Sequence, residues 1–341
     1  MKTLVTGAAG FIGAAVVKAL LAEGHEVVGI DNINTYYAVS LKLARLAESG
    51  ISGADIDEGV TVTSTKHAAY RFIKMDLTDR QGMKKLFEAE KFDNVVNLAG
   101  QAGVRYSIEN PFAYAESNIL GFLNILENCR HYPVRHLVYA SSSSVYGMSG
   151  HVPYAETDMT DSPVSLYAAT KKSDELMAYA YSKLYGIRAT GLRFFTVYGP
   201  WGRPDMAPFI FMKAVTQGKP IRVFNHGDMK RDFTYIDDIA KGVTLVIARP
   251  SDESVPHRVY NIGHSEPVAL LDFISTIEKV TGRKAIMEMT DMQPGDVYCT
   301  YADTSRLQHD FCYHPCVGTD EGIQRFYEWY NRATEQGILD F

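Results

Sequence analysis

The sequence predicts an α/β fold, a doubly wound parallel sheet with a smaller C-terminal mixed α/β lobe. Two patterns and one motif predict it. Short apolar runs alternate with amphipathic stretches as far as residue 194, as strands and helices do when they follow one another. Several of these runs are almost wholly apolar, as expected of strands covered on both faces. Between the first run and the first amphipathic stretch stands Gly7-Ala8-Ala9-Gly10-Phe11-Ile12-Gly13, a glycine-rich strand-to-helix turn.

The elements follow in chain order. Strands are expected at 3–6, 26–31, 70–75, 94–98, 136–140 and 189–194. Helices are expected at 11–22, 80–90, 112–129 and 167–185. Residues 48–69 are rich in Gly, Ser, Thr and Asp and poor in large apolar side chains. A surface excursion with at most a short strand pair is expected there. After about residue 195 the alternation breaks at Gly199, Pro200, Gly202, Pro204 and Pro208. Later helices are expected at 236–247, 270–280 and 322–334. Residues 1–195 should form the sheet domain and residues 196–341 mainly the lobe, with a segment near 236–263 returning to the sheet.

Composition narrows the function. The chain has 341 residues, 46% hydrophobic and 22% charged, ordinary for a globular enzyme. Its 34 Lys and Arg against 40 Asp and Glu give a net charge of -6, which disfavours a nucleic-acid partner. No apolar run reaches the ~18–20 residues that span a bilayer. Met1 leads directly into the first strand, with no signal-peptide pattern, so a cytoplasmic location is expected. Four cysteines, Cys129, Cys299, Cys312 and Cys316, show no paired ligand spacing. Even with His314 beside the last two, no metal site is expected, and reduced thiols fit a cytoplasmic protein.

The glycine-rich turn points to a dinucleotide. Gly7, Gly10 and Gly13 let the backbone turn tightly, and the helix start at Phe11 and Ile12 presents amides to a pyrophosphate, as in Rossmann-type domains. Asp31, ending the second strand, can accept hydrogen bonds from an adenosine ribose and would repel a 2′-phosphate, which favours NAD over NADP. Beside it, Asn32 belongs to the same strand end. Asp76 and Leu77 follow the third strand and can reach the adenine. Leu98, Ala99 and Gln101 follow the fourth and would pass under the cofactor. A catalytic group comes next in the chain. Tyr167 and Lys171 stand four apart on one helix face. A free phenol, with a pKa of about 10, is a poor base at neutral pH. A nearby ammonium and a positive nicotinamide favour its phenolate. Lys171 can also hold the nicotinamide ribose. Upstream, Ser142 in the run Ser141-Ser142-Ser143-Ser144 can bridge phenol and substrate hydroxyl. Together these parts suit removal of a carbinol proton while hydride leaves to NAD.

In this order the motifs resemble the extended short-chain dehydrogenase/reductases, nucleotide-sugar epimerase branch, over nearly the full chain. Longer strings are similar to UDP-glucuronate 4-epimerases: Asp31-Asn32-Ile33-Asn34-Thr35-Tyr36-Tyr37, running on to Lys42; Gln101-Ala102-Gly103-Val104-Arg105-Tyr106-Ser107; Arg193 through Met206; and Arg231-Asp232-Phe233-Thr234-Tyr235-Ile236-Asp237-Asp238. Residues 48–69 are longer than that family leads one to expect. The resemblance implies a mechanism. Tyr167 takes the C4 hydroxyl proton of a UDP-sugar, hydride passes to bound NAD, the 4-keto sugar rotates, and hydride returns to the other face. It also implies a homodimer paired through helices 112–129 and 167–185. The sequence does not give the pathway that the sugar feeds; surface polysaccharide synthesis is the natural expectation.

Two positions separate the branches. Related dehydratases carry Asp and Glu where this chain has Ser143 and Ser144, and UDP-glucuronate decarboxylases carry Glu at the second. The resemblance therefore implies a carboxylate pocket made of Ser142, Ser143, Ser144 and Thr196. It gives Arg231 to the diphosphate and Arg203 to sugar or phosphate, with Arg105 on the substrate side. Gln293-Pro294-Gly295-Asp296 stands where galactose epimerases commonly carry Arg before Gly-Asp. The expected reaction is inversion of UDP-glucuronate to UDP-galacturonate. A UDP-glucose or UDP-N-acetylhexosamine 4-epimerase, a UDP-glucuronate decarboxylase and a non-catalytic dinucleotide-binding regulator stand as alternatives.

Overall fold

The structure is a computed structural model that describes residues 1–292 and 297–340. Strands β1 (Lys2–Thr6), β2 (Glu26–Asp31), β3 (Thr61–Thr63), β4 (Tyr70–Lys74), β5 (Asn94–Asn97), β6 (His136–Ser142), β7 (Ala189–Phe194), β8 (Thr196–Tyr198), β9 (Pro220–Val223), β10 (Lys230–Tyr235), β11 (His257–Ile262), β12 (Pro267–Ala269) and β13 (Ile286–Met289) make three sheets. The large one runs β11-β7-β6-β5-β1-β2-β4-β3. All its pairings are parallel except that of β3 with β4.

Alternate side chains of each strand serve two cores, so the sheet is covered on both faces. Val5, Val27, Val96 and Val138 pack with helices Phe11–Ala22 and Ile236–Ala248 on one side. Leu4, Val28, Val95 and Leu137 meet helices Arg80–Glu90, Gly121–His131 and Leu166–Tyr185 on the other. β11 lies beside β7, and the helix before it packs on the first helix, so residues 236–262 complete the large sheet. The other two sheets, β12-β10-β8 and β13-β9, form the smaller lobe.

The strand order reverses between β1 and β5. Loops after the two strands diverge there and leave a crevice at their carboxyl ends. Two departures from the sequence reading bear on it. Helix Val39–Glu48 carries no signal that the alternation revealed. Its buried Arg45 donates to Ala9 O (3.0 Å) in the glycine-rich turn and to Trp201 O (2.8 Å) in the lobe, so a buried guanidinium ties the two parts together. The helix expected at 112–129 is instead a broken track. Tyr106–Glu109 and Pro111–Tyr114 are α-helical turns, Ala115–Leu120 is a π-turn, and Gly121–His131 is α-helix. The 48–69 excursion contains a 3₁₀ turn, Gly53–Asp55, and the edge strand β3. Among the described residues, no helix is long and apolar enough to cross a membrane.

Candidate active site

A cleft of about 370 Å³ opens at the crevice, within the usual range for small-molecule sites. Gly7, with φ +70°, turns the chain after β1. A Cβ there would lie 2.8 Å from Ala99 N, and one at Gly13 would lie 2.0 Å from Gly7 O. Turn, helix and β5 loop are thus packed backbone to backbone, which a side chain would prevent. The first helix starts at Gly10 without a side-chain cap or an acidic residue in its first turn, leaving its amides for an anion. Asp31 ends β2 in the cleft, accepting from Ala9 N (3.1 Å) and Ile33 N (2.8 Å). Burial pushes its carboxyl up, against Lys42 and these two amides. Asn32 Nδ2 donates to Asp76 Oδ2 at 2.7 Å. Burial works against the Asp76 charge, but bonds from Thr78 and Asn32 outweigh it and hold the carboxyl low. Phe11, Ile12, Leu77, Leu98, Ala99 and Gln101 line the same cleft. An uncapped helix start, a turn of glycines and alanines and a carboxylate at the end of β2 fit a dinucleotide.

The catalytic candidates share this cleft. Helix Leu166–Tyr185 places Tyr167 and Lys171 there, with Ser142, Ser143, Ser144 and Thr196 facing the same space. Lys171 Nζ donates to Ala140 O (3.0 Å) and to Asp174 Oδ2 (3.1 Å). Tyr167 stands edge-on to Tyr114, ring centroids 6.0 Å apart. Ser142 Oγ accepts from Ser144 N and donates to Ser144 Oγ, both at 3.1 Å. The hydroxyl assigned to bridge phenol and substrate therefore also caps the turn Ser143–Tyr146.

The arginines divide. Arg203 lines the cleft, its Nε donating to Asp205 Oδ1 at 3.0 Å. Burial disfavours its charge, but Asp205 outweighs burial and raises the guanidinium further. Arg105 and Arg231 are not among the lining residues. Arg105 is exposed with its guanidinium over the Phe224 ring at 4.9 Å. Arg231 Nη1 donates to Lys230 O (2.8 Å) and Tyr298 O (3.2 Å). Residues 293–296, where the galactose-type Arg is replaced, lie outside the described residues. Cys316 belongs to another contact: its N and Sγ meet Asp238 Oδ1 at 3.1 and 3.5 Å.

The structure adds residues the sequence reading passed over. Tyr36 lines the cleft and donates to Asp205 Oδ2 at 3.0 Å. Burial and Asp205 push its hydroxyl up to about 12, which keeps it a donor. Asn118, in the π-turn, accepts from Gln101 N (2.8 Å) and donates to Gln101 O (3.1 Å) and Thr170 Oγ1 (3.0 Å). It locks the loop after β5 to helix Leu166–Tyr185, a role in keeping with π-turns near functional sites. Below the serine run, Glu175 holds Ser141 and Arg193.

Comparison with known proteins places this geometry. The model of the NAD dependent epimerase/dehydratase family matches residues 3–263. The chain belongs to that family. Among its relatives, UDP-glucuronate 4-epimerase 2 of Arabidopsis thaliana is 46% identical, over 99% of this chain and 77% of its own. A probable UDP-glucuronate 4-epimerase of Rhizobium meliloti is 43% identical over 97% of both chains. The crystal structure of UDP-glucuronic acid 4-epimerase from Bacillus cereus, in complex with UDP-glucuronic acid and NAD, superposes with a TM-score of 0.85. It is 34% identical and covers 97% of this chain and 99% of its own. In this family member the cleft therefore combines an NAD-type cradle with a Tyr/Lys pair and a cluster of hydroxyls.

Proposed function

We propose that the protein inverts C4 of UDP-glucuronate to give UDP-galacturonate, using NAD. One observation carries the choice of sugar. The cleft that holds Tyr167 and Lys171 is also lined by Ser142, Ser143, Ser144, Thr196 and Arg203, and no carboxylate stands at positions 143 and 144. Hydroxyls and a guanidinium suit a substrate carboxylate; Asp or Glu would repel it. The likeness to UDP-glucuronate 4-epimerases supports the same sugar.

Gly7, Gly10, Phe11, Ile12, Gly13, Asp31, Asn32, Asp76, Leu77, Leu98, Ala99 and Gln101 would hold NAD, whose chemistry when bound is reversible hydride storage at C4. Tyr167 takes the proton of the C4 hydroxyl and returns it to the C4 oxygen when the centre is re-formed with inverted configuration. Lys171 supplies the positive charge that favours the phenolate and a donor toward the ribose. Ser142 donates to the C4 oxygen once Ser144 yields its bond. Oxidation at C4 makes a β-keto acid, which loses CO2 when the C5–C6 bond aligns with the carbonyl. Ser143, Ser144 and Thr196 hold the carboxylate out of that alignment. Arg231 is assigned to the diphosphate, since β10 pairs with β8 at Phe233 and Thr196, two residues beyond it. Arg105 keeps the substrate side. The lobe of residues 196–341 supplies most sugar contacts, and the enzyme is a cytoplasmic homodimer that feeds surface polysaccharide synthesis.

Proton NMR of the purified protein with UDP-glucuronate and no added NAD tests the reading. New anomeric signals of UDP-galacturonate are expected, reduced about 10²–10⁴-fold in Tyr167→Phe, the range for loss of a general base. A UDP-pentose as the main product, or undiminished activity in Tyr167→Phe, overturns it.

A further inference from the structure

One helical turn beyond Lys171 lies a carboxylate outside the lining of the cleft. Two acidic residues stand side by side there, and their surroundings differ. Glu175 is fully engaged: Oε1 accepts from Ser141 Oγ (2.6 Å) and Arg193 Nε (2.8 Å), and Oε2 from Arg193 Nη2 (2.9 Å). Asp174 is as deeply buried, with 2% side-chain exposure, yet its one ion-pair partner among the described residues is Lys171. Oδ2 accepts from Nζ at 3.1 Å, and Oδ1 has no hydrogen-bond partner among the described residues.

An ammonium has three N–H bonds. One of Lys171's goes to Ala140 O and one to Asp174, so the third is left for the cleft that Lys171 lines. We propose that Asp174 is a positioning residue for the epimerase reaction: it fixes where the Lys171 ammonium points, and its own charge sets how strongly that ammonium favours the Tyr167 phenolate. This rests on the reading of Tyr167 as the base. With Asp174 neutral, Lys171 acts on Tyr167 undiminished. With Asp174 ionised, the negative charge cancels part of that field. Phenolate formation and Asp174 ionisation therefore oppose each other and titrate as a coupled pair. Burial pushes the Asp174 carboxyl up to about 7, against the pull of Lys171, so the change falls in the working range.

The surroundings leave this switch to Asp174. Tyr139 of β6 faces it, but burial keeps that phenol well above its usual value and protonated. Tyr139 is hydrogen-bonded to His257 of β11, which burial holds near 4 and neutral. Arg193 of β7 is committed to Glu175, and burial of Glu175 is outweighed by Arg193, which holds that carboxyl low and ionised. On the same helix Lys172 is turned to Thr160 and Asp161. From the π-turn, Asn118 is uncharged.

The test is an ultraviolet difference titration of phenolate in the NAD-loaded parent and in Asp174→Asn, each against its Tyr167→Phe counterpart so that Tyr167 alone is read. Asn keeps an acceptor at Lys171 without the charge. The phenolate titration is expected to move down by about half a pH unit or more and to sharpen to a single step. The acid limb of kcat/KM should move with it, while KM for UDP-glucuronate changes less than about twofold. Asp174→Ser gives the same comparison in a smaller side chain if the Asn variant does not accumulate. A titration that stays in place or moves up overturns the proposal. Activity persisting in Tyr167→Phe instead overturns the assignment of the base, a result visible before Asp174 is altered.

Discussion

Ser143, Ser144 and Thr196 carry the argument at the scale of single residues, because under the proposed function their hydroxyls would decide what becomes of a β-keto acid. A hydrogen bond to a charged group contributes about 1.5–3 kcal/mol, so losing two should shift the partition between reduction and decarboxylation at least about tenfold. Ser143→Ala combined with Thr196→Ala is expected to release UDP-pentose at the expense of UDP-galacturonate, read by proton NMR. A product ratio equal to the parent's removes the carboxylate-holding role. Much of this site was legible because its residues end strands, and ligands of open sheets bind where strands end. What stayed hidden depends on partners distant in the chain. Tyr36 meets Asp205 across 169 positions, and Asp174 differs from Glu175 through neighbours that spacing cannot reveal. Arg105 and Arg231 rest in the sequence on the strings that contain them, and neither lines the cleft.

At the scale of elements, the glycine-rich turn makes the sharpest demand. Gly13 begins no unusual backbone; its constraint is the 2.0 Å approach of a would-be Cβ to Gly7 O. Gly7 O is main chain and a Cβ is fixed by the backbone that bears it, so neither can rotate away. Gly13→Ala is expected to cost about 1–3 kcal/mol of stability, the usual price of overpacking, and to release NAD on purification. Thermal unfolding and the nucleotide content of the purified variant check this; unchanged values of both would mean that the turn relaxes. Strands and helices with a clean apolar period were legible in the sequence, and β2 and helix Phe11–Ala22 match their expected bounds. The π-turn was not, because its irregularity is set by Asn118 reaching Gln101 and Thr170, contacts of tertiary origin. Helix Val39–Glu48 was missed for a similar reason: Lys42 and Arg45 are buried within it, so charged residues occupy positions where a helix pattern needs apolar ones.

For the whole molecule, the open question is what covers its apolar helices. Ile108, Phe112 and Leu120 are exposed along the 106–120 track, and Leu176, Tyr179 and Leu184 along the neighbouring helix. Phe112 is 76% exposed and Leu184 68%, so the apolar content of these helices is not all spent on the chain's own core. Residues 176 and 179 stand three apart, and 184 lies eight beyond 176 on the same side of the helix. Two such faces meeting about a two-fold axis would bury each other, as an isologous contact does. Sedimentation velocity is expected to give twice the mass of the 38.0 kDa chain. Leu176→Glu with Leu184→Glu places two carboxylates in each half of that contact, four across the axis, and should leave a monomer at micromolar concentration. Both side chains are solvent-facing in the single chain, so its fold and its far-ultraviolet spectrum should be unchanged. If the parent itself sediments as a monomer, this face does not pair two copies; if the double variant remains a dimer, the two-fold axis passes elsewhere.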